Sequence, residues 1–206
     1  MILKLEEDGV AASNQALAER LSVSPASVTG MLRRLGELHL VAYEPYRGAN
    51  LTSAGRKVAV EVLRHHRLLE TYLAEAMGFS WDEVHPEAER LEHVISEEFE
   101  DRLFELLGRP THDPHGDPIP DRDGTFPVSP EANLATAEPG SAAVVSRVAA
   151  QEPDVLRYLT GRGLVIGAEV SVLEQAPHEG PVRVRVGRIE TALDRRMARR
   201  IRIRRN

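Results

Sequence analysis

Residues 85–106, which read HPEAERLEHVISEEFEDRLFEL, decide the fold of this chain. Pro86 suits the first turn of a helix. Apolar residues then recur at steps of three and four, which is the spacing of an amphipathic helix: Leu91, Val94, Ile95, Phe99, Leu103 and Leu106. We predict one long helix over residues 86–107. A second stripe of this helix carries Glu89, Glu92 and His93, which it would bring together within about one turn. Two carboxylates and an imidazole are ligand types for a divalent metal ion.

One turn of helix cannot surround an ion, so further ligands must come from another segment. The earlier stretch RHHRLLETYL, residues 64–73, also has a helical pattern, and its His66 and Glu70 are four residues apart on one face. The sequence therefore predicts a metal site between two helices.

Composition excludes several classes of protein. The 206 residues are 42% hydrophobic but only 4% aromatic, so the core is expected to be aliphatic. The chain has no cysteine, which excludes disulfides, thiolate zinc sites and cysteine nucleophiles. The N-terminus lacks the apolar run of a signal peptide, and no apolar stretch approaches the roughly 20 residues of a membrane span. We expect a soluble, cytoplasmic protein that makes no contact with a membrane.

The net charge of −6 is unevenly distributed. Residues 59–110 carry five Lys and Arg against thirteen Asp and Glu, whereas residues 139–206 carry thirteen against seven. An acidic centre suits a cation site, and the more basic ends remain free to approach phosphate.

The N-terminal third has the pattern of a helix-turn-helix. Ser13 is placed to cap a helix over NQALAERL, and Ser24 to cap a second helix that has proline at its first position. Such a second helix would enter the major groove of DNA. Small residues near its start would let it sit deep there: Ser24, Ala26, Ser27, Thr29 and Gly30. Arg33 and Arg34 follow one turn later and are expected to contact phosphates.

The segment LVAYEPYRGANLT, residues 40–52, predicts a strand, a tight turn and a second strand. Its Arg47 is placed to act as the tip of a basic wing on DNA. Thr52 then caps a helix over residues 53–75, whose apolar face, with that of residues 86–107, exceeds what a small winged domain can bury. A second copy of the chain is the expected partner, which makes the protein a homodimer.

Residues 108–138 are rich in proline, glycine and acids and have little periodicity, so most of this segment is expected to be loop or linker. From Pro139 onward, short alternating stretches such as PVRVRVG and RRIRIRR predict strands of a small β-barrel. Their arginines are expected to lie on a solvated sheet face.

These residues together resemble a known family. HRLLE, then VHPEAERLEHVISEEFEDRL, then DPHGDPIP is similar to the signature of the diphtheria-toxin-repressor family of iron- and manganese-dependent transcriptional regulators. The helix-turn-helix and wing match the same family, and the tail resembles its SH3-like, FeoA-type domain. The resemblance implies a mainly α fold with small β parts. It divides the chain into a winged helix-turn-helix (residues 1–58), a helical dimerisation and metal-sensing domain (59–128), a linker (129–138) and an SH3-like β-barrel (139–206).

The resemblance also implies functional residues. Glu89, Glu92 and His93 fall on the family's primary metal site, and His66, Glu70 and His85 on its neighbouring site. Glu152 matches an ancillary ligand from the C-terminal domain, although Val155 stands where that pattern has glutamine. The implied protein is a homodimer whose metal-loaded form binds a palindromic double-stranded DNA operator and represses genes of metal uptake or homeostasis.

Residue 89 bears on the choice of metal. Iron-responsive members of the family often carry cysteine at this position, and this chain carries glutamate, which shifts the preference toward Mn²⁺. Fe²⁺ is the alternative, and Zn²⁺, Co²⁺ or Cd²⁺ are expected to act as surrogates in vitro.

The start of the chain leaves one alternative open. Family members carry one or two metal ligands ahead of the segment that matches Ile2–Glu7; either the start at Met1 is misassigned, or that contribution is missing.

Two other functions also remain open. A metalloenzyme could use a carboxylate and histidine site on helices. We find no nucleophile motif or phosphate loop for such an enzyme. A winged-helix regulator that needs no metal is the third hypothesis.

Overall fold

The computed structural model describes residues 1–7, 9–44, 47–128 and 131–205. The chain divides into two units, which we describe separately. The first comprises Met1–Leu63 with Arg122–Gly124, and the second comprises Arg64–Asp121 with Thr125–Asn206. Within the described ranges, no helix is both long enough and apolar enough to cross a membrane.

The first unit is a helix-turn-helix followed by a β-hairpin, as predicted. Its elements are α1 (Ile2–Glu7), α2 (Asn14–Leu21), α3 (Pro25–Glu37), β1 (Val41–Glu44), β2 (Gly48–Leu51) and the start of α4 (Ser53–Glu75). The predicted caps are present: the Ser13 hydroxyl accepts a hydrogen bond from the Ala16 N–H, and the Ser24 hydroxyl accepts one from the Ser27 N–H. An aliphatic core holds the unit together, and it includes Leu5, Leu17, Val28, Leu32 and Val41.

The second unit begins with a helical part in which one prediction is wrong. Residues 86–107 form two helices, α5 (Val84–Leu91) and α6 (Glu97–Leu106), separated by a turn. The physical reason is a competing cap. The Ser96 hydroxyl accepts a hydrogen bond from the Phe99 N–H at 3.2 Å and so starts a new helix. Glu92 and His93 therefore lie at and just after the end of α5, and Val94, assigned to the apolar stripe, is exposed.

The second unit continues with an antiparallel sheet. Its strands are β3 (Ala132–Asn133), β4 (Ala142–Val148), β5 (Glu169–Gln175), β6 (Val182–Val186), β7 (Ile189–Leu193) and β8 (Ile201–Arg204), in the spatial order β3-β8-β4-β5-β6-β7. Two short helices, α7 (Pro153–Thr160) and α8 (Arg195–Arg200), and a 3-10 turn (Leu134–Thr136) complete it. Strand β3 lies inside the range that the sequence assigned to the linker, while Ser129 and Pro130 lie outside the described residues. Arg183 and Arg185 are exposed and pair with Glu174 and Glu190, as expected of a solvated face.

The loop at residues 113–117 is fixed to this sheet. The Val148 N–H donates a hydrogen bond to the His115 carbonyl at 2.9 Å. Gly116 has φ +81°, and a Cβ at this position would lie 2.0 Å from the Ser146 carbonyl oxygen, so only glycine permits this approach. The side chains of Asp113 and His115 are consequently held at a fixed place beside the helical part.

Candidate metal centre

Helix α4 carries two of the predicted ligands on a buried face. His66 and Glu70 lie one turn apart, with His66 Nε2 2.9 Å from Glu70 Oε1. His85, the second residue of α5, approaches the same point: its Nδ1 lies 2.9 Å from His66 Nε2 and 3.1 Å from Glu70 Oε1. The three residues form what we call the first triad, in which one ligand atom from each lies within 4.8 Å of the others. The Glu70 carboxylate is completely buried.

The segment after α5 contributes unevenly. Glu92 Oε2 lies 2.5 Å from His66 Nδ1, on the opposite edge of the imidazole from the first triad. His93 Nε2 lies 3.3 Å from the other Glu92 oxygen but is 66% exposed. Glu89 is exposed on α5. Glu89, Glu92 and His93 thus do not form a triad of the kind described above, and their role as ligands remains a prediction.

A second cluster was not predicted. Glu70, Asp113 and His115 form what we call the second triad, again with one ligand atom from each within 4.8 Å of the others. His115 Nδ1 lies 3.4 Å from Glu70 Oε2, and all three side chains are buried. Glu70 therefore belongs to both triads, one oxygen facing each. The motif DPHGDPIP contains both new residues, but only the fold brings this loop back against α4.

The electrostatics of the two triads follow from burial and proximity. Burial alone would lower the pKa of His66, but contacts with Glu70 and Glu92 outweigh it and raise that pKa to about 9. His115 is raised in the same way, against burial, by Glu70 and Asp113, and its pKa is also about 9. Burial opposes ionisation of Glu70, yet contacts with His115, His66 and His85 hold its pKa well below the usual range.

Asp113 shifts in the opposite direction. Burial, followed by the neighbouring carboxylates of Asp117 and Glu70, raises the pKa of Asp113 well above its usual range. The neutral form of this carboxyl group is therefore favoured relative to that of an exposed aspartate.

A buried ion pair supports the ligand-bearing face of α4. The Glu100 carboxylate is buried, 2.5 Å from Arg64 Nε and 2.7 Å from His65 Nε2, although helical spacing alone would favour a solvated face for this run of acidic residues. His65 Nδ1 in turn lies 3.3 Å from the Glu92 carbonyl oxygen. Glu100 on α6 thus helps to fix His66, the neighbour of His65, relative to the turn that carries Glu92.

Glu152 is a member of neither triad. Its carboxylate is 2.5 Å from Arg200 Nη2, and this contact holds the pKa of Glu152 below its usual value although partial burial opposes it. Glu152 pairs with Arg200 in this structure, and its role as an ancillary ligand stays a prediction.

The predicted DNA-contacting residues lie at the start of α3 and on the hairpin. Exposed side chains or backbone positions are found at Ser24, Ala26, Ser27, Gly30, Arg33, Arg34 and Arg47. Thr29 is half-buried; its hydroxyl donates to the Pro25 carbonyl and accepts from Asn14 Nδ2. Arg47 pairs with Glu44 across 3.1 Å, and both side chains are solvent-exposed. Pro45 and Tyr46, within the predicted wing, lie outside the described residues.

Family models match almost the whole chain. One described as the N-terminal DNA binding domain of iron dependent repressors matches residues 1–49, and one described as their metal binding and dimerisation domain matches residues 52–121. A model of the FeoA domain matches residues 132–205.

Individual proteins agree with these matches. The iron-dependent repressor IdeR of Mycobacterium tuberculosis is 36% identical over 214 residues, covering 98% of this chain and 93% of IdeR. The diphtheria toxin repressor of Corynebacterium diphtheriae is 32% identical over 187 residues, covering 86% of this chain and 83% of that protein.

Solved structures show the same relationship. A manganese-dependent transcriptional repressor in complex with manganese superimposes with a TM-score of 0.85 at 36% identity, covering 94% of this chain and 90% of that one. The repressor ScaR with bound Cd²⁺ gives a TM-score of 0.80 at 31% identity, covering 94% and 91%. The fold is thus an N-terminal DNA-binding domain, a helical dimerisation domain and an SH3-like FeoA sheet. The chain belongs to the diphtheria toxin repressor family of metal-dependent, DNA-binding transcriptional repressors, which are not enzymes.

Proposed function

We propose that this protein is a Mn²⁺-responsive repressor that binds a palindromic double-stranded DNA operator as a homodimer and controls genes of metal uptake or homeostasis. The observation that carries the proposal is the first triad. A carboxylate and two imidazoles converge at the buried junction of α4 and α5, with Glu92 on the far edge of His66.

The donor set of this site fits a divalent first-row metal ion. It contains only imidazole nitrogen and carboxylate oxygen, and the chain has no cysteine that could add a thiolate. Hard oxygen donors suit Mn²⁺, although the general order of affinities favours later metals over it. Fe²⁺ is therefore the competing physiological ion, and Zn²⁺, Co²⁺ and Cd²⁺ are expected to bind in vitro. A bound metal ion would supply the positive charge that the protonated His66 imidazole otherwise offers to the carboxylates of Glu70 and Glu92.

Contacts within the protein orient the ligand side chains of the site. Glu70 is oriented by its contacts with His66 and His85, and the Glu100–Arg64 pair supports the adjoining turn of α4. Glu89, Glu92 and His93 remain our candidates for an additional ligand group. They lie close together in the chain, and the side chains of Glu89 and His93 are exposed.

The DNA-binding surface is proposed from the start of α3. Ser24, Ala26, Ser27 and Gly30 are small and exposed, so this end of the helix can approach base edges in a major groove closely. Arg33 and Arg34 follow on the exposed surface and are placed for phosphate contacts, which carry affinity more than sequence information.

Metal and DNA are linked through helix α4. This helix starts at Ser53, directly after the hairpin, and carries His66 and Glu70 further along. We propose that metal binding favours those positions of the winged helices that match the two half-sites. The factor by which metal raises operator affinity is limited by the ratio of metal affinities of two states of the protein, the one whose winged helices match the half-sites and the one whose winged helices do not.

The experiment is an operator-binding titration. A DNA ligand is selected from a random pool with Mn²⁺ present, and binding is then measured with Mn²⁺, with Fe²⁺ under anaerobic conditions, and with chelator. Chelator should weaken binding at least about tenfold, which corresponds to the usual size of such couplings. Glu89→Ala with His93→Ala, and separately His66→Ala, should remove the metal response, whereas the exposed His112→Ala should retain it. Operator binding that ignores both Mn²⁺ and chelator would contradict the proposal, and a response to Fe²⁺ alone would replace Mn²⁺ with iron.

A further inference from the structure

A pocket of about 300 Å³ in the second unit shares no lining residue with either triad. Its walls include Gly116 and Pro118 of one loop, Glu131, and two arginines, Arg147 of β4 and Arg202 of β8. A volume of this size is at the lower end of the range found for pockets that hold small organic molecules. The pocket therefore has room for a small ligand, and its arginines bear on which kind.

The two arginines face each other across neighbouring strands. Arg147 and Arg202 are directly opposite partners in the antiparallel pairing of β4 with β8. Ile201 and Ile203, on either side of Arg202, are buried in the core of the sheet, so the Arg202 side chain lies on the other face, where the pocket is. Like charges at directly opposite positions destabilise a strand pair. An anion between the two guanidinium groups would remove this cost.

The carboxylates near the pocket pair with one of the two arginines. Arg147 Nη1 lies 3.5 Å from Asp117 Oδ1, and Arg147 Nε lies 3.5 Å from Glu131 Oε2. The other Glu131 oxygen accepts a hydrogen bond from the Ser146 hydroxyl at 2.9 Å, which holds this carboxylate in place. No described carboxylate forms an ion pair with Arg202, although part of this side chain is buried. Arg202 is therefore a guanidinium without an anionic partner in the described part of the chain.

Both arginines also have a buried donor that lacks an acceptor. The Nε atoms of Arg147 and Arg202 are buried and form no hydrogen bond with a described residue. Glu131 Oε2 is too distant from Arg147 Nε for a good hydrogen bond. A buried donor without a partner is costly, and an acceptor inside the pocket would satisfy both of these donors. The Nε–H and one Nη–H of a guanidinium form the fork that binds a carboxylate or a phosphate through two hydrogen bonds.

We propose that this pocket binds a small organic oxyanion, a molecule that carries a carboxylate or a phosphate group, between the guanidinium groups of Arg147 and Arg202. The oxygen atoms of the anion accept hydrogen bonds from the two Nε–H groups and separate the two positive charges. Gly116 and Pro118 belong to the loop and the arginines to the sheet, so the ligand joins these two parts of the second unit. Binding requires neither metal nor DNA.

The first experiment is a calorimetric titration of the full chain after its metal has been removed with a chelator and the chelator dialysed away. About 0.15 M NaCl screens general charge attraction. Inorganic phosphate and citrate are the two probes, because one presents a phosphate and the other presents carboxylates. We expect at least one of them to bind with a Kd below about 1 mM, and the tighter probe identifies the group that the pocket takes. Failure of both probes to reach this affinity would overturn the proposal, whatever the protein does with metal or DNA.

Variants then test whether the arginines hold the anion. Arg202→Met removes the guanidinium but keeps an unbranched side chain, and it should weaken binding at least about tenfold, as expected for loss of a charged hydrogen bond. Arg204→Met is the matched control, since Arg204 is an exposed arginine two residues later on the same strand, and it should bind the probe as the wild type does. Equal affinities for the wild type and a folded Arg202→Met would overturn the proposal.

Crystals of the wild type decide the question if Arg202→Met fails to fold. They are soaked in the probe that binds more tightly, with arsenate used in place of phosphate for its anomalous signal. The anion should lie within hydrogen-bond distance of the Nε atoms of both Arg147 and Arg202. An anion found only elsewhere on the chain, or a pocket that holds water alone, would overturn the proposal.

Discussion

Replacement of Glu100 by alanine should destabilise the second unit far more than the same change at Glu98, two residues earlier on α6. Both glutamates pair with an arginine at a similar distance, 2.5 Å for Glu100 with Arg64 and 2.7 Å for Glu98 with Arg102. The two pairs differ in how far their side chains are exposed to solvent. The first pair is 5% exposed on each side, and the second is 76% and 79% exposed.

The magnitudes follow from what each change leaves behind. Loss of Glu100 leaves the Arg64 guanidinium buried with the Pro120 carbonyl and the face of the Phe104 ring as its neighbours. Breaking one side of a buried ion pair typically costs about 3–5 kcal/mol. An exposed pair contributes about 0.2–1 kcal/mol, and loss of an acidic residue from the first turn of a helix adds about 0.3–1 kcal/mol. Glu100 also lies in the first turn of α6, so this last contribution is common to both variants, which should therefore differ by at least about 2 kcal/mol.

The assay is urea unfolding followed by fluorescence of Trp81, the single tryptophan of the chain, which lies in the second unit. With an m-value near 2 kcal/mol/M, the midpoint should fall by about 2 M for Glu100→Ala and by less than about 1 M for Glu98→Ala. Equal shifts for the two variants would refute the reasoning, because they would mean that Glu100 is solvated in the folded protein.

Three further outcomes are expected. Gly116→Ala should cost more than about 3 kcal/mol, since it adds a steric conflict to the strain of a positive φ, whereas Gly140→Ala, with φ +84° and open space around it, should cost about 1–2 kcal/mol in the same urea assay. Burial opposes ionisation of Glu100, but His65 and Arg64 lower its pKa, so its contribution to folding stability is present above the usual carboxylate range and is lost as pH falls. The difference in unfolding free energy between the wild type and Glu100→Ala should therefore shrink below about pH 4, and a constant difference down to pH 3 would contradict this. Arg34→Ala should reduce the steepness of the plot of log operator affinity against log salt concentration by about 1, whereas substitution of the exposed Arg188 by alanine should leave it unchanged. Equal slopes for Arg34→Ala and the wild type would show that Arg34 does not contact DNA phosphates.

Local signals made the first unit predictable. Ser13, Ser24 and Pro25 are capping residues whose effect is confined to one helical turn, so the sequence located the starts of α2 and α3 correctly. The pair His66 and Glu70 was found for the same reason, because residues four apart on a helix are neighbours whatever the rest of the fold does.

The errors arose where two local signals competed or where the partner was distant in the chain. Apolar periodicity favoured one helix through residues 92–96, but the Ser96 cap prevailed and displaced Glu92 and His93 from the predicted surface. Periodicity also gave no indication that Glu100 would meet Arg64, a residue of another helix. The contact between His115 and Glu70 depends on the return of a loop that is fixed by the sheet, and no spacing rule reports such a contact.

The fully buried carboxylate of Glu70, which presents one oxygen to each triad, has a consequence for how this protein can change over generations. Because a single side chain belongs to two neighbouring clusters, the effects of altering His66 and Asp113 should not combine as independent increments. Mutational drift on one side of Glu70 would alter what is tolerated on the other, so residues far apart in the sequence are expected to vary as a linked set.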